Sequence, residues 1–390
     1  MNQTFDVAVI GAGAFGTWTA FELNQAGLRV ALVDAYGAGN SRSSSGDESR
    51  IIRMSYGASE IYTRWSWRAL KLWKEFCAEF CEDTGHTLFH QTGVLLLAQG
   101  DYAHALDSVN VLTTQGIPFE RLDRAELETR FPQFNFDGVD WAIYEPESGA
   151  LMARRAVQAV AQAAIQRGVS FFNEAVLPPV NTGQLAALVM QSGNQLHADK
   201  LIFACGPWLP KLFPALLAER IHVTRQEVFY FGTPAGDARF VPPHCPTWID
   251  FAAEVYGLPN LEARGFKVAP DRHGAAFDPD ADERLITSDT LQTARQMLAR
   301  RFPDLKNAPL IESRVCQYEN TSNGDFLIDR HPDFTNVWLV GGGSGHGFKH
   351  GPALGEYVAA RIIADDSADD SVEQEFSLAT KATIKARAIY

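Results

Sequence analysis

The clearest alternation of apolar and polar positions lies at residues 6–35, DVAVIGAGAFGTWTAFELNQAGLRVALVDA. An unbroken apolar run at 7–10 predicts a buried strand. A glycine-rich turn follows, then a helix, then a second apolar run at 30–33 that ends in Asp34. Beyond this unit the pattern does not continue as regular strand–helix repeats. Residues 41–57, SRSSSGDESRIIRMSYG, read as a polar loop with Arg50 and Arg53 on either side of two isoleucines. Helical periodicity runs over 61–80, where Trp65, Trp67, Trp73 and Phe76 are expected in the core. Residues 87–98 and 227–234 read as strands of a different, antiparallel sheet. A helix at 153–168, a strand at 200–208, and a strand, glycine loop and helix at 336–363 return to α/β character.

Composition narrows the classes. A chain of 390 residues suits two domains, and no apolar run approaches the roughly 20 residues of a membrane span. The net charge of −13 argues against nucleic acid or an anionic membrane as main partner. The N-terminal MNQTFDVAVIGAG has no basic region or small-residue cleavage site, so a cytoplasmic protein is expected. Acid is concentrated in ADDSADDSVEQE at 364–375, which reads as a solvated connector. The cysteines are Cys77, Cys81, Cys205, Cys245 and Cys316. Their odd number speaks against a disulfide framework, and Cys77 and Cys81 lack a second pair at zinc spacing, so no metal is expected.

Gly11, Gly13 and Gly16 fill G-x-G-x-x-G between a strand and a helix. The first allows a tight turn, the second a close approach of backbone to a pyrophosphate, and the third close helix–strand packing. Phosphates then meet the free N–H groups at the helix start, and Asp34 can accept from ribose hydroxyls. A second glycine-rich helix start, GGGSGHGFKHG at 341–351, carries His346 and Lys349. Two such starts in one domain suit FAD; NAD would need only the first. The expected fold class is α/β plus α+β. A discontinuous Rossmann-like FAD-binding domain (1–85, 148–218, 318–390) is joined by a mainly antiparallel-sheet substrate domain (86–147, 219–317).

The segments GAGAFG, GDESRIIRMSYG, GFKVAP, RVCQYENTSNGDFLIDRHP and GSGHGFKHGPALGE together resemble the D-amino-acid-oxidase-like flavoproteins, within them the monomeric sarcosine oxidase and N-methyltryptophan oxidase group. The resemblance covers nearly the whole chain in order. It implies that Cys316, by its order with Tyr318 and Lys349, tethers the flavin covalently, with Arg50 supporting the attachment. It implies that Arg53 and Lys349 bind a substrate carboxylate, that Lys267 lies beside flavin N5 and promotes reduction of O2, and that Tyr256 and Tyr318 line the pocket. The cofactor contacts expected on this basis are Gly11, Gly13, Ala14, Phe15, Gly16, Asp34, Ala35, Ser45, Arg50, Val176, Cys205, Gly206, Trp208, Cys316, Gly345, Gly347, Phe348 and Lys349. The implied protein is a monomer that oxidises a secondary or N-substituted α-amino acid.

The chain also departs from the group. The histidine expected before the arginine loop is absent, replaced by a stretch with Asp47, Glu48 and Ser49, and a second histidine falls on Asp271, with His273 nearby. These changes, with Trp248 and Asp250, predict a pocket shaped differently from one for sarcosine. A dehydrogenase or D-amino-acid deaminase using another electron acceptor is the nearest alternative. A flavin-binding protein without turnover is another, and the retention of both Arg53 and Lys349 argues against it.

Overall fold

The computed structural model describes residues 4–180, 182–364 and 374–383. The first sheet has seven strands. Its path runs Leu327–Arg330, Val337–Gly341, Gln195–Phe203, Thr4–Ile10, Val30–Val33 and Ser170–Phe172, with Leu188–Val189 paired off the path to Gln195–Phe203. Thr4–Ile10 lies between parallel neighbours on both sides, Gln195–Phe203 and Val30–Val33. Its apolar run is continuous because helices cover the sheet, so inward and outward side chains are both buried. Helix Ala14–Gln25 packs on helix Gly351–Ile363, where a Cβ on Gly355 would come within 2.8 Å of the Trp18 backbone. Trp18, Trp73 and Phe76 meet edge to face beside them, the first two 5.0 Å apart.

The second sheet has eight strands in the order Leu310–Thr321, Ile221–Phe231, Phe266–Pro270, Val255–Leu258, Thr247–Asp250, Val94–Ala98, Trp141–Glu145 and Glu120–Asp123. All neighbours are antiparallel except Thr247–Asp250 with Val94–Ala98. Phe134, Trp248, Phe266 and Phe302 form its core, under helix Ser288–Arg301. A small sheet of Arg50–Ile52, Gly149–Leu151 and Phe89–His90 carries Arg50. The chain therefore combines a mainly parallel α/β unit with a mainly antiparallel one, the expected fold class.

Local boundaries differ from the sequence reading. The strand expected over 87–98 is two strands in two sheets, broken at Gly93, whose φ of +68° no β strand accepts. The strand expected over 200–208 stops at Phe203, and Pro207 sits in a tight turn over Gly206–Trp208. The first long helix extends further than 61–80, over Glu60–Thr84, and buries Trp65, Trp73 and Phe76 as expected, whereas Trp67 stays half-buried. Most of the acidic stretch at 364–375 lies outside the described residues. Among the described residues no helix is long and apolar enough to cross a membrane, and no acid, cysteine or histidine cluster is built for a metal ion.

Candidate active site

The first strand, its glycine turn and the helix after it meet the chain leaving Gln195–Phe203 at very short range. A Cβ on Gly11 would lie 2.3 Å from the Ala204 carbonyl oxygen, and one on Gly16 would lie 1.8 Å from that of Gly11. Only glycine closes this turn. Asp34 accepts from the N–H of Ala12 at 2.7 Å and of Tyr36 at 2.8 Å. Burial raises its carboxyl above the ordinary value, although these backbone donors pull it down.

Around this turn lies a cavity of about 360 Å³ that reaches the second glycine loop. Of the expected cofactor contacts, it is lined by Gly11, Gly13, Ala14, Phe15, Asp34, Ala35, Ser45, Arg50, Val176, Cys205, Gly206, Trp208, Gly345, Gly347 and Phe348, with Tyr318 beside them. Gly16 stands behind that wall. Cys316 is buried just outside it, and its Sγ receives an Arg50 N–H at 3.4 Å. The residues present fit FAD: a glycine-rich helix start in the cavity wall, where among the described residues the Ala14 N–H meets only the Ser45 hydroxyl at 3.1 Å, an acid for ribose, and one elongated cavity that joins both glycine loops.

A smaller cavity of about 80 Å³ adjoins the first and shares Arg50, Tyr318, Ser344, Gly345 and Phe348 with it. Arg53, Lys349, Tyr256, Asp271, His273 and Phe251 also line it. The Arg53 guanidinium lies over the rings of Tyr56 and Phe251, at 4.5 and 5.4 Å, and donates to the Ser55 carbonyl. Lys349 Nζ donates to the Tyr56 hydroxyl at 2.7 Å and the His346 carbonyl at 3.0 Å. Burial first, and then Arg53, hold the Lys349 amine well below the ordinary lysine value. The Tyr318 hydroxyl donates to Asp271 at 3.0 Å. Beneath the cations, buried Glu145 accepts from the N–H groups of Met54 and Ser55, both at 2.8 Å, which fixes the backbone that follows Arg53.

Lys267 lines neither cavity. Its ammonium is buried and donates to Asp47 at 2.5 Å and to the Ser49 carbonyl at 2.9 Å. Arg50 meets the same Asp47 oxygen at 2.6 Å, and the Tyr230 hydroxyl donates to the other at 2.8 Å. Burial alone would raise the Asp47 carboxyl; Lys267 and Arg50 outweigh it and hold the group well below the carboxylate range. Lys267 is lowered by burial and by Arg50, against the pull of Asp47.

Trp248 and Asp250, expected to reshape the pocket, belong to the second core instead. Trp248 packs on Phe302, and Asp250 is the buried partner of Arg301 at 2.5 Å. The sequence reading also left Tyr56, Glu145 and Glu319 unassigned. Tyr56 stands near the end of the stretch read as a polar loop, and Glu145 and Glu319 sit in mixed segments whose local pattern marks them as ordinary strand.

A family model described as FAD dependent oxidoreductase (DAO) matches residues 6–361. The chain is 30% identical over 374 residues to a monomeric sarcosine oxidase of Streptomyces avermitilis, covering 94% of this chain and 96% of that one. It is 27% identical to an N-methyl-L-tryptophan oxidase of Yersinia pestis, with 96% and 99% covered. Among solved structures, an L-proline dehydrogenase from P. horikoshii matches its fold with a TM-score of 0.82 at 21% identity, over 93% and 94% of the two chains. The glycine turns, the elongated cavity and the family match agree: this chain belongs to the DAO family of FAD-dependent oxidoreductases.

Proposed function

We propose that the enzyme oxidises a secondary or N-substituted α-amino acid at the carbon beside nitrogen, with FAD tethered through Cys316 and O2 reduced to hydrogen peroxide. Similarity to sarcosine oxidases over most of the chain supports a CH–NH donor. The observation that carries the reading is the pair of buried basic groups, Arg53 and Lys349, in the wall of the small cavity beside the cofactor cavity. A substrate carboxylate accepts one charge-assisted hydrogen bond from each, worth roughly 1.5–3 kcal/mol apiece. The amine, bound neutral so that its nitrogen lone pair can form the carbon–nitrogen double bond, then lies toward Tyr318, Tyr256 and Asp271 in the same cavity. When bound, FAD supplies the two-electron acceptor for a hydride equivalent. The Arg53–Lys349 pair fixes the carbon–nitrogen bond against one face of the cofactor site, and the buried walls keep bulk water out. The imine product hydrolyses in solvent.

The tether is supported by the Arg50 contact to Cys316, which sets a cation beside the sulfur. The cofactor part is assigned to 1–85, 148–218 and 318–390 and the substrate part to 86–147 and 219–317, a division supported by the two large sheets except that strand Leu310–Thr321 runs across the boundary at 317/318. A cytoplasmic location belongs to the same reading, and so does a monomer, the latter supported by relatives named monomeric.

One contact favours a second reading. The charge of Lys267 is tied to Asp47, which weakens the help a free ammonium would give to oxygen. A dehydrogenase passing electrons to another acceptor would tolerate that pairing. The two separate in one experiment: N-methyl, cyclic and D-amino acids are added anaerobically to the yellow protein, and air is admitted afterwards. Bleaching of the flavin followed by fast recovery and peroxide supports the oxidase. Bleaching with slow recovery supports the dehydrogenase, and no bleaching with any α-amino acid overturns both.

A further inference from the structure

Glu319 follows Tyr318 in the long strand Leu310–Thr321, and its carboxyl faces the cofactor cavity between the two glycine segments. The residue is 7% exposed. Its Oε1 accepts the N–H of Gly343 at 3.2 Å. Its Oε2 is buried and has no hydrogen-bond partner among the described residues. Glycine surrounds it closely: a Cβ at Gly341 would lie 3.3 Å from Oε2, and one at Gly343 would lie 3.4 Å from Oε1. A buried carboxyl oxygen left without a partner is destabilising, so the strand carries this cost unless a ligand group meets it.

The surroundings favour the neutral acid. The Cys205 thiol, itself raised by burial and by the nearby Asp34 and Glu319, offers no positive charge, and the strand partner Val223 is apolar. Asp34, Arg50, Lys211 and Asp280 line other parts of the wall, and none bonds Glu319 among the described residues. Burial, opposed only by the N–H groups of Gly343 and Gly342, raises the carboxyl to about 7.

We propose that Glu319 is a cofactor-positioning residue that donates a hydrogen bond from protonated Oε2 to an oxygen of the ribityl–pyrophosphate portion of FAD. The inference rests on the FAD reading of the cavity. A carboxylate in this place would repel phosphate and offer only acceptors, whereas the acid offers a donor. The proton also sets a pH signature. Binding that uses it is level while the free protein is already protonated, and weakens above that point by at most about tenfold per pH unit.

The test uses the full chain carrying Cys316→Ser, so that FAD exchanges reversibly, with binding read by quenching of flavin fluorescence. Between about pH 6.5 and about pH 8.5 affinity should fall roughly twenty- to thirtyfold. Adding Glu319→Gln should flatten the profile, because the amide donates at every pH and its carbonyl keeps the Gly343 contact. Glu319→Ala should flatten it too, at lower affinity throughout. A level profile in the parent, or the same slope in parent and variants, overturns the inference. FAD binding with the wrong pH dependence sinks Glu319 alone. Failure of every protein to bind FAD at any pH overturns the FAD reading and this inference together.

Discussion

Asp47→Asn perturbs the most heavily charged contact in the site. One oxygen of Asp47 receives both Lys267 and Arg50, at 2.5 and 2.6 Å, and the other receives the Tyr230 hydroxyl and the Glu48 N–H at 2.8 and 2.7 Å. Asparagine keeps the second set but turns an NH2 group toward two cations. Breaking a buried pair from one side costs about 3–5 kcal/mol, because the partner charge is stranded. With two cations served by one oxygen, the upper half of that range is expected at neutral pH. The loss has a ceiling, since Lys267 can shed its proton, each pKa unit being worth about 1.4 kcal/mol. Its value is already depressed by burial, and removing Asp47 depresses it further. A lysine with a lowered folded pKa destabilises the protein while it is charged, and that cost fades as pH rises through the folded value. Asp47 itself contributes fully above the ordinary carboxylate range, and its contribution is lost only in acid, as pH falls through its lowered folded value. The deficit of the variant should therefore be smaller in alkaline than in neutral solution. Urea unfolding of both proteins in neutral and in alkaline solution measures it. A deficit equal in both, or none in either, would refute the reasoning.

Two further outcomes follow from the same geometry. Flavin should stay with the protein after acid precipitation, and a Cys316-containing peptide should carry its mass; if fully loaded protein releases all its colour, the tether is wrong. Because burial and Arg53 hold the free Lys349 amine well below the ordinary value, a substrate carboxylate should bind with uptake of a proton. The KM should then be level at lower pH and rise above the free Lys349 value, and Lys349→Arg should remove the rise. Parallel profiles in the two proteins would show that Lys349 is already charged before substrate arrives.

The nucleotide half of the fold was legible because its determinants are local. Strand, glycine turn, helix, strand and Asp34 occupy one continuous stretch, and glycine alone fits the approach of Gly11 to Ala204. Arg53, Lys349, Tyr256 and Tyr318 were named from motifs, and they converge on one small cavity. The partner of Lys267 was not legible. Asp47 lies 220 residues away, in a stretch so rich in serine and charge that it reads as a solvated loop. The sheet that carries Arg50–Ile52 draws this loop inward, a pairing that no local pattern announces. Glu319 was hidden for a related reason. An acid set among Gln317, Asn320 and Thr321 in a strand normally faces water, but here the glycine loop of the other sheet closes over it. Trp248 and Asp250 misled in the opposite direction, since a buried aromatic and a buried ion pair are also what a core contains.

Anaerobic reduction of the flavin by an N-methyl α-amino acid, compared with reduction by the amide of the same amino acid, tests the central claim most directly. The amide keeps the oxidisable carbon and the amine but loses the negative charge and one of the two acceptor oxygens, so it cannot accept from Arg53 and Lys349 as the carboxylate does. Losing even one charge-assisted bond, at roughly 1.5 kcal/mol or more, predicts an efficiency at least about tenfold lower, read as the second-order rate of flavin bleaching. Equal rates for acid and amide would contradict the account and point to simple amines as the substrates.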